Sequence, residues 1–140
     1  MPDFITPSIN AFLVCDTVIE DSLTHKKSLI GIFTHLQAPV FPFQHGQLGL
    51  YFCITDAQGG YRFDIALIYL NTDHVVAKAQ MPPVEIRDRL EIVDFGVTLT
   101  QLVFPGPGRY EFRLMVNGHP LAQKDFLVTQ GPRSSEPMRA

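Results

Sequence analysis

Tryptophan is absent from this 140-residue chain, cysteine occurs twice, and only 18% of the residues are charged. No apolar run approaches the roughly 18 residues of a membrane-spanning helix. The longest candidates are interrupted by Asp16, Gly31 or Asp64. Met1-Pro2-Asp3-Phe4 carries neither the basic nor the apolar stretch of an export signal. Neither sign of charge dominates: 11 basic against 14 acidic residues leave a net charge of −3. That balance lacks the basic signature by which a domain tracks a phosphate backbone. Together these absences predict a cytoplasmic protein that engages neither nucleic acid nor membrane. Cys15 and Cys53 each sit in an apolar run, so both are expected to be reduced and buried rather than bridged across two sheets.

What is present is apolar bulk. Hydrophobic residues make up 46% of the chain, 11 of them Phe, and the mean hydropathy is +0.10. Such a chain gains more by collapsing than by staying solvated, which excludes the disordered and fibrous classes. At this length it forms one domain that buries roughly 70% of its extended surface without metals or disulfides.

The dominant period is two. Leu48, Leu50, Phe52 and Ile54 alternate along one segment; Tyr61, Phe63, Ile65, Leu67 and Tyr69 along a second. Tyr110, Phe112, Leu114 and Val116 form a third, opposed by Glu111 and Arg113. Alternation of this kind marks strands with one buried face. Looser runs cover 11–19, 29–36, 75–79 and 93–104, and no segment holds a helical period. Ala57-Gln58-Gly59-Gly60 reads as a hairpin turn joining two of the cleanest strands. Asn117-Gly118 reads as a type I′ turn, because both residues tolerate positive φ. Past it the parity changes from Leu121 to Phe126 and Val128, which asks for a bulge near 122–124. Pro105-Gly106-Pro107-Gly108 forces a loop. About eight strands with tight turns predict an all-β, antiparallel sandwich, immunoglobulin-like in character. The Pro-containing loops 37–46 and 80–90 are the expected crossings between its sheets. The domain is expected to span 10–130, between a frayed segment at 1–9 and a tail at 131–140.

The sequence also resembles a known family. Ala11-Phe12-Leu13-Val14-Cys15-Asp16, Lys27-Ser28-Leu29-Ile30-Gly31-Ile32-Phe33, Phe41-Pro42, Pro107-Gly108-Arg109-Tyr110-Glu111-Phe112 and Asn117-Gly118 carry the likeness. They look like a family of small bacterial proteins catalogued only as a domain of unknown function. The resemblance covers residues 9–128 and implies a compact β-sandwich, with no catalytic residues to carry over.

The residues offer little chemistry of their own. His25, His35, His45, His74 and His119 are scattered, with no metal-ligand spacing, and no cofactor motif occurs. Asp16, Glu20 and Asp21 are the densest carboxylates and read as a solvated loop rather than a calcium site. A small hydrolase built on Cys15, Asp16 and His25 is the enzymatic alternative, but adjacent strand residues face opposite sides. A sandwich that binds a small ligand or carbohydrate is another, weakened by the missing tryptophan. Asp16 shares a strand face with Phe12, Val14 and Val18, so it is expected to be a structural polar group fixing the 20–27 turn through Lys26, Lys27 or backbone amides.

Surface recognition is what remains. The rigid loop 38–43 presents Val40, Phe41 and Phe43, unless the two rings fold back to plug the core. The outward positions of two central strands, Tyr51 with Ile68 and Leu70, are too apolar for a freely solvated sheet. These six residues are the candidate contacts of a non-enzymatic protein-binding or assembly module in the bacterial cytoplasm. Its partner is another protein or a second copy in a homodimer.

Overall fold

The computed structural model describes residues 3–131, so most of the segment expected to form a C-terminal tail lies outside the described residues. Among the described residues eleven strands are formed: β1 (Ser8–Glu20), β2 (Lys27–Ile32), β3 (His35–Ala38), β4 (Phe43–Thr55), β5 (Gly59–Tyr61), β6 (Phe63–Tyr69), β7 (His74–Gln80), β8 (Val84–Ile86), β9 (Val93–Phe104), β10 (Gly108–Val116) and β11 (His119–Gln130). No helix is present among the described residues. A four-stranded sheet, ordered β2-β1-β4-β9, packs on a five-stranded sheet ordered β3-β11-β10-β6-β7, and β5 with β8 forms a separate ribbon. This is an all-β sandwich.

The core is the set of alternating residues seen in the sequence. Leu48, Leu50, Phe52 and Ile54 of β4 meet Phe63, Ile65 and Leu67 of β6 and Tyr110, Phe112, Leu114 and Val116 of β10, all buried. Aromatic rings bridge the two sheets: Phe52 to Phe63 at 5.3 Å between centroids, Phe104 to Tyr110 at 4.9 Å. Within the four-stranded sheet, register puts Phe12, Phe52 and Phe95 in one row across three strands. Stacked on a pleated surface, such rows supply both buried area and cross-strand pairing.

The looser runs have physical causes. In β9, Val93, Phe95, Val97 and Leu99 pair with the inward residues of β4, and then Leu102 and Phe104 take over. The switch falls at Gln101, which adopts φ 55°, so the strand changes face there. β11 carries a bulge that skips Leu121 between Pro120 and Ala122, next to the expected position. The 29–36 run is two strands, because the chain leaves the four-stranded sheet at Phe33 and enters the other at His35.

Several expectations need correcting. Ala57-Gln58-Gly59-Gly60 does not close a hairpin: β4 and β6 belong to different sheets, and the intervening residues form β5, which pairs with β8. One pairing, β3 with β11, is parallel. Much of the segment expected to fray is bound: Ser8 and Ile9 pair with Thr55 and Ile54, and Phe4 packs edge-on against Tyr61. The other turns stand as read. Asn117 and Gly118 take φ values of 49° and 82°, as a type I′ turn requires. The Pro-Gly-Pro-Gly loop is held by Tyr110 Oη, which donates to Gly106 O at 2.6 Å, and by Tyr69 Oη, which donates to Pro107 O at 2.7 Å. Loops 37–46 and 80–90 do cross between the sheets.

Candidate functional site

A sandwich has two outer faces, and in this one they are built differently. On the four-stranded sheet, each outward pair near the middle of β4 and β9 includes a glycine: Gly49 lies opposite Thr98, and Gly96 lies opposite Tyr51. The β1–β2 arm folds over this gap. A Cβ on Gly49 would lie 2.9 Å from Val18 Cγ2, and one on Gly96 only 2.7 Å from Val18 Cγ1. Val18 therefore fills a hollow that only glycine leaves open. A polar latch holds the arm down. Lys27 Nζ donates to Asp94 Oδ1 at 2.6 Å and lies 3.4 Å from Glu20 Oε1, while Tyr51 Oη donates to Asp94 Oδ2 at 2.9 Å.

Charge tuning follows from that enclosure. Burial alone pushes the Asp94 carboxyl up and the Lys27 ammonium down. Their mutual hydrogen bond and charge attraction, with Tyr51 adding at Asp94 and Glu20 at Lys27, together outweigh burial, so Asp94 ends below its ordinary value and Lys27 above. Burial and then Asp94 raise the Tyr51 phenol. The group is an internal clasp.

Among the described residues the outer face of the five-stranded sheet carries no such arm. Register places Asp125, Glu111, Ile68 and Val75 in one row, Gln123, Arg113, Ala66 and Lys78 in the next, and Met115, Asp64 and Gln80 beyond. Two hollows flank Met115. One of about 720 Å³ runs over Met115, Pro120, Leu121 and Ala122; the other, of about 480 Å³, lies over Ala66, Lys78 and Gln80. Above them Glu111, only 7% exposed, accepts from Arg113 Nε at 2.6 Å. Asp125 faces Glu111 directly, and its nearest cation, Arg109, stands 4.0 Å from Oδ2. Among the described residues Asp125 Oδ1 is enclosed and meets no donor, while the side chain as a whole is 34% exposed. Burial, and then the opposing Glu111, raise the Asp125 carboxyl above its ordinary value.

The six candidate contacts do not converge. Tyr51 and Ile68 lie on opposite sides of the molecule, because their strands sit in different sheets. Tyr51 is half-buried beside the arm, Ile68 is 4% exposed, and Leu70 is half-buried. Ile68 faces outward yet is closed over by its own surroundings, so its apolar character needs no partner. In the 38–43 loop Val40 is 60% exposed, whereas Phe41 and Phe43 pack against the core as a plug.

The hydrolase residues also stay apart. Cys15 is buried, donating to Thr17 O at 3.4 Å and to Gly49 O at 3.7 Å, and burial raises its thiol. His25 lies at the far tip of the arm, 3.3 Å from Glu20. Roughly 16 Å of strand separate Cys15 from Glu20. Asp16 is exposed, its carboxylate against the Gly31 backbone, and it does not fix the turn. Asp21 does, accepting from Leu23 N at 2.8 Å and Thr24 N at 2.9 Å. Both cysteines are free and buried. Among the described residues no group of three His, Cys, Asp or Glu could hold a metal ion, and no helix is long and apolar enough to cross a membrane.

Sequence reasoning missed the Glu111–Asp125 opposition and the Val18 seal, since both depend on register between distant segments. Two outward glycines flanking Tyr51 in space were the available signal for the seal.

Among solved structures, the chain is similar to part of the Pseudomonas fluorescens alkylpurine DNA glycosylase AlkC, bound to DNA containing an abasic site analogue. The identity is 14% and the TM-score 0.58, over 89% of this chain and 30% of that one. It is also similar to part of a Listeria innocua β-glucosidase in complex with isofagomine, at 10% identity and TM-score 0.49, over 90% of this chain and 17% of that one. The chain thus spans less than a third of either protein, and likeness at this identity is one of fold. No curated protein matches it. A family model does match residues 10–129, and the chain belongs to that family of unknown function, DUF6941.

Proposed function

We propose that this protein is a non-enzymatic binding module that captures a protein partner on the outer face of its five-stranded sheet. One observation carries the reading. Among the described residues the molecule lays its own arm over Gly49 and Gly96 on one outer face, and carries two hollows and a row of fixed charges on the other. A monomer with nothing to bind gains little from keeping two hollows and an under-partnered carboxylate on a sheet face. The scattered placement of Cys15, Asp16 and His25 favours binding over hydrolysis.

The immunoglobulin-like character of the sandwich belongs to the same proposal. It is supported by β3 running parallel beside β11 at a sheet edge, and by Tyr110 at the start of β10 bonding back to Gly106. Two buried, unbridged cysteines support a reducing compartment such as the bacterial cytoplasm. The glycosylase's DNA is not carried over, because a net charge of −3 opposes phosphate-backbone binding.

Site-specific photo-crosslinking in cells tests the reading. A crosslinker at Ala66 should give a discrete adduct with a different protein, and one at Thr98, exposed on the opposite sheet, no such adduct. Adducts from Ile30 on the arm alone, or none from any of the three positions, would overturn it.

A further inference from the structure

We infer that a second copy of this chain pairs with β9, the two strands running antiparallel about a two-fold axis at Val97. The inference concerns a different surface from the binding face proposed above and stands independently of it.

The two large sheets have four edges, and these are not protected alike. A free edge invites another strand, and natural sheets blunt it with charge, bulges or brevity. β2 carries Lys27 and a Gly31 at φ 72°, β7 carries Lys78 and a register shift, and β3 has only four residues. Between Phe95 and Thr100, β9 has none of these devices: the run holds no charge, proline or register shift. Among the described residues β9 pairs only with β4, and no other backbone hydrogen bond reaches that run.

The inward side chains show the same gap. On β7 the residues paired with the inward Ile65 and Leu67 are Ala79 and Ala77, which leave little apolar surface at that edge. On β9 the inward residues are Phe95, Val97 and Leu99, packed against the core on one side yet only half-buried. A strand laid beside β9 covers their open sides. Over the seven residues from Asp94 to Thr100 it also gains about six to eight backbone hydrogen bonds.

The occupant follows from self-complementarity. In an antiparallel pair, opposed residues share a face, so the axis passes through a residue and not between two. Centred on Thr98, it would set Phe95 against Gln101, whose φ of 55° turns the strand to its other face. Centred on Val97, it sets Phe95 against Leu99 and Val97 against itself on the inward side, and Gly96 against Thr98 on the outward side. Asp94, already held by Lys27 and Tyr51, meets the uncharged Thr100. No like charges are opposed, whereas a charged strand from another protein finds no counter-charge on this run. The axis stands perpendicular to the sheet, so both five-stranded sheets lie on one side of the joined sheet. Their outer faces stay free and point the same way.

Light scattering on the intact protein should give twice the chain mass of 15.7 kDa. Thr98 is exposed, and the axis sets it diagonally across from its own copy, so Thr98→Lys and Thr98→Glu should each weaken the dimer about tenfold. An amide spectrum unaltered away from β9 shows that each variant is folded. Mixing the two variants should restore the dimer, because Lys and Glu then stand across the axis from each other. Val97→Cys should be joined to itself by a short bis-maleimide, and Val75→Cys on β7 should not; both native cysteines are buried. A monomer at millimolar concentration, a dimer indifferent to both Thr98 changes, a mixture that stays dissociated, or an unjoined Val97→Cys would overturn the inference. So would a Thr98 crosslinker that captures a different protein instead of a second copy. A doubled mass without a foreign adduct at Ala66 leaves this inference standing and removes only the binding face.

Discussion

The two outer faces of this sandwich solve the same problem in opposite ways. A sheet packed on one side still presents alternate side chains to solvent on the other. The four-stranded sheet answers by emptying its outward positions at Gly49 and Gly96 and laying Val18 into the gap. The charges beneath the arm are then satisfied within the chain, Lys27 and Tyr51 both reaching Asp94. The five-stranded sheet keeps its side chains, spreads charges across three rows, and leaves Asp125 incompletely paired. The contrast teaches that an apolar outward position is not a docking site in itself. Tyr51 and Ile68 were both apolar and outward, and both are accounted for by their own chain.

The largest expected effect breaks the contrast at Ile68. Because it is buried although it points outward, Ile68→Glu should cost on the order of 3 kcal/mol by leaving a carboxylate without a partner. Ile30→Glu, on the exposed side of the arm, should cost less than about 0.5 kcal/mol. Urea denaturation of both variants measures the difference, and equal costs would mean that the rows are misassigned.

Next is the seal itself. Gly49→Ala puts a methyl group 2.9 Å from Val18 and 3.0 Å from Cys15. Overpacking there should cost about 1–3 kcal/mol. The paired change Gly49→Ala with Val18→Ala should recover part of that loss, which thermal denaturation would show. Absence of any recovery would remove Val18 from its place over the glycines.

The smallest effects concern pH and run in opposite directions on the two faces. Asp94 lies below its ordinary value in the folded state, so it contributes stability above the unfolded carboxylate value that is lost as pH falls through its own. Asp125 lies above its ordinary value, so its contribution is complete in acid and is lost as pH rises through that value. At neutral pH Asp94→Asn should therefore destabilise, and Asp125→Asn should stabilise, each by at most about 1 kcal/mol, because both carboxyls are partly solvated. Both differences should shrink toward pH 3, as denaturation midpoints across pH would reveal. Parallel pH profiles for the two variants would erase the distinction between the faces.

Residue by residue, the core was legible and the topology was not. Phe52, Phe63 and Phe112 are buried because alternation alone assigns them to the covered side of a strand. Asn117-Gly118 announced its turn because two successive positive φ values demand such residues. Gly59-Gly60 misled for a related reason. A turn signal says that the chain reverses, but not whether it rejoins the strand it left or passes to the opposite sheet. That single ambiguity placed Tyr51 and Ile68 side by side when the whole sandwich lies between them.

The sequence by itself therefore determined the periodicity, the all-β class, the inward residues and the tight turns, since each depends on neighbours within a few positions. Only the tertiary structure decided which glycines lie under Val18, which carboxylate Lys27 holds, and that Glu111 faces Asp125. Those pairings are set by register between strands far apart in the chain, and a slip of one residue would turn each of these side chains to the other face.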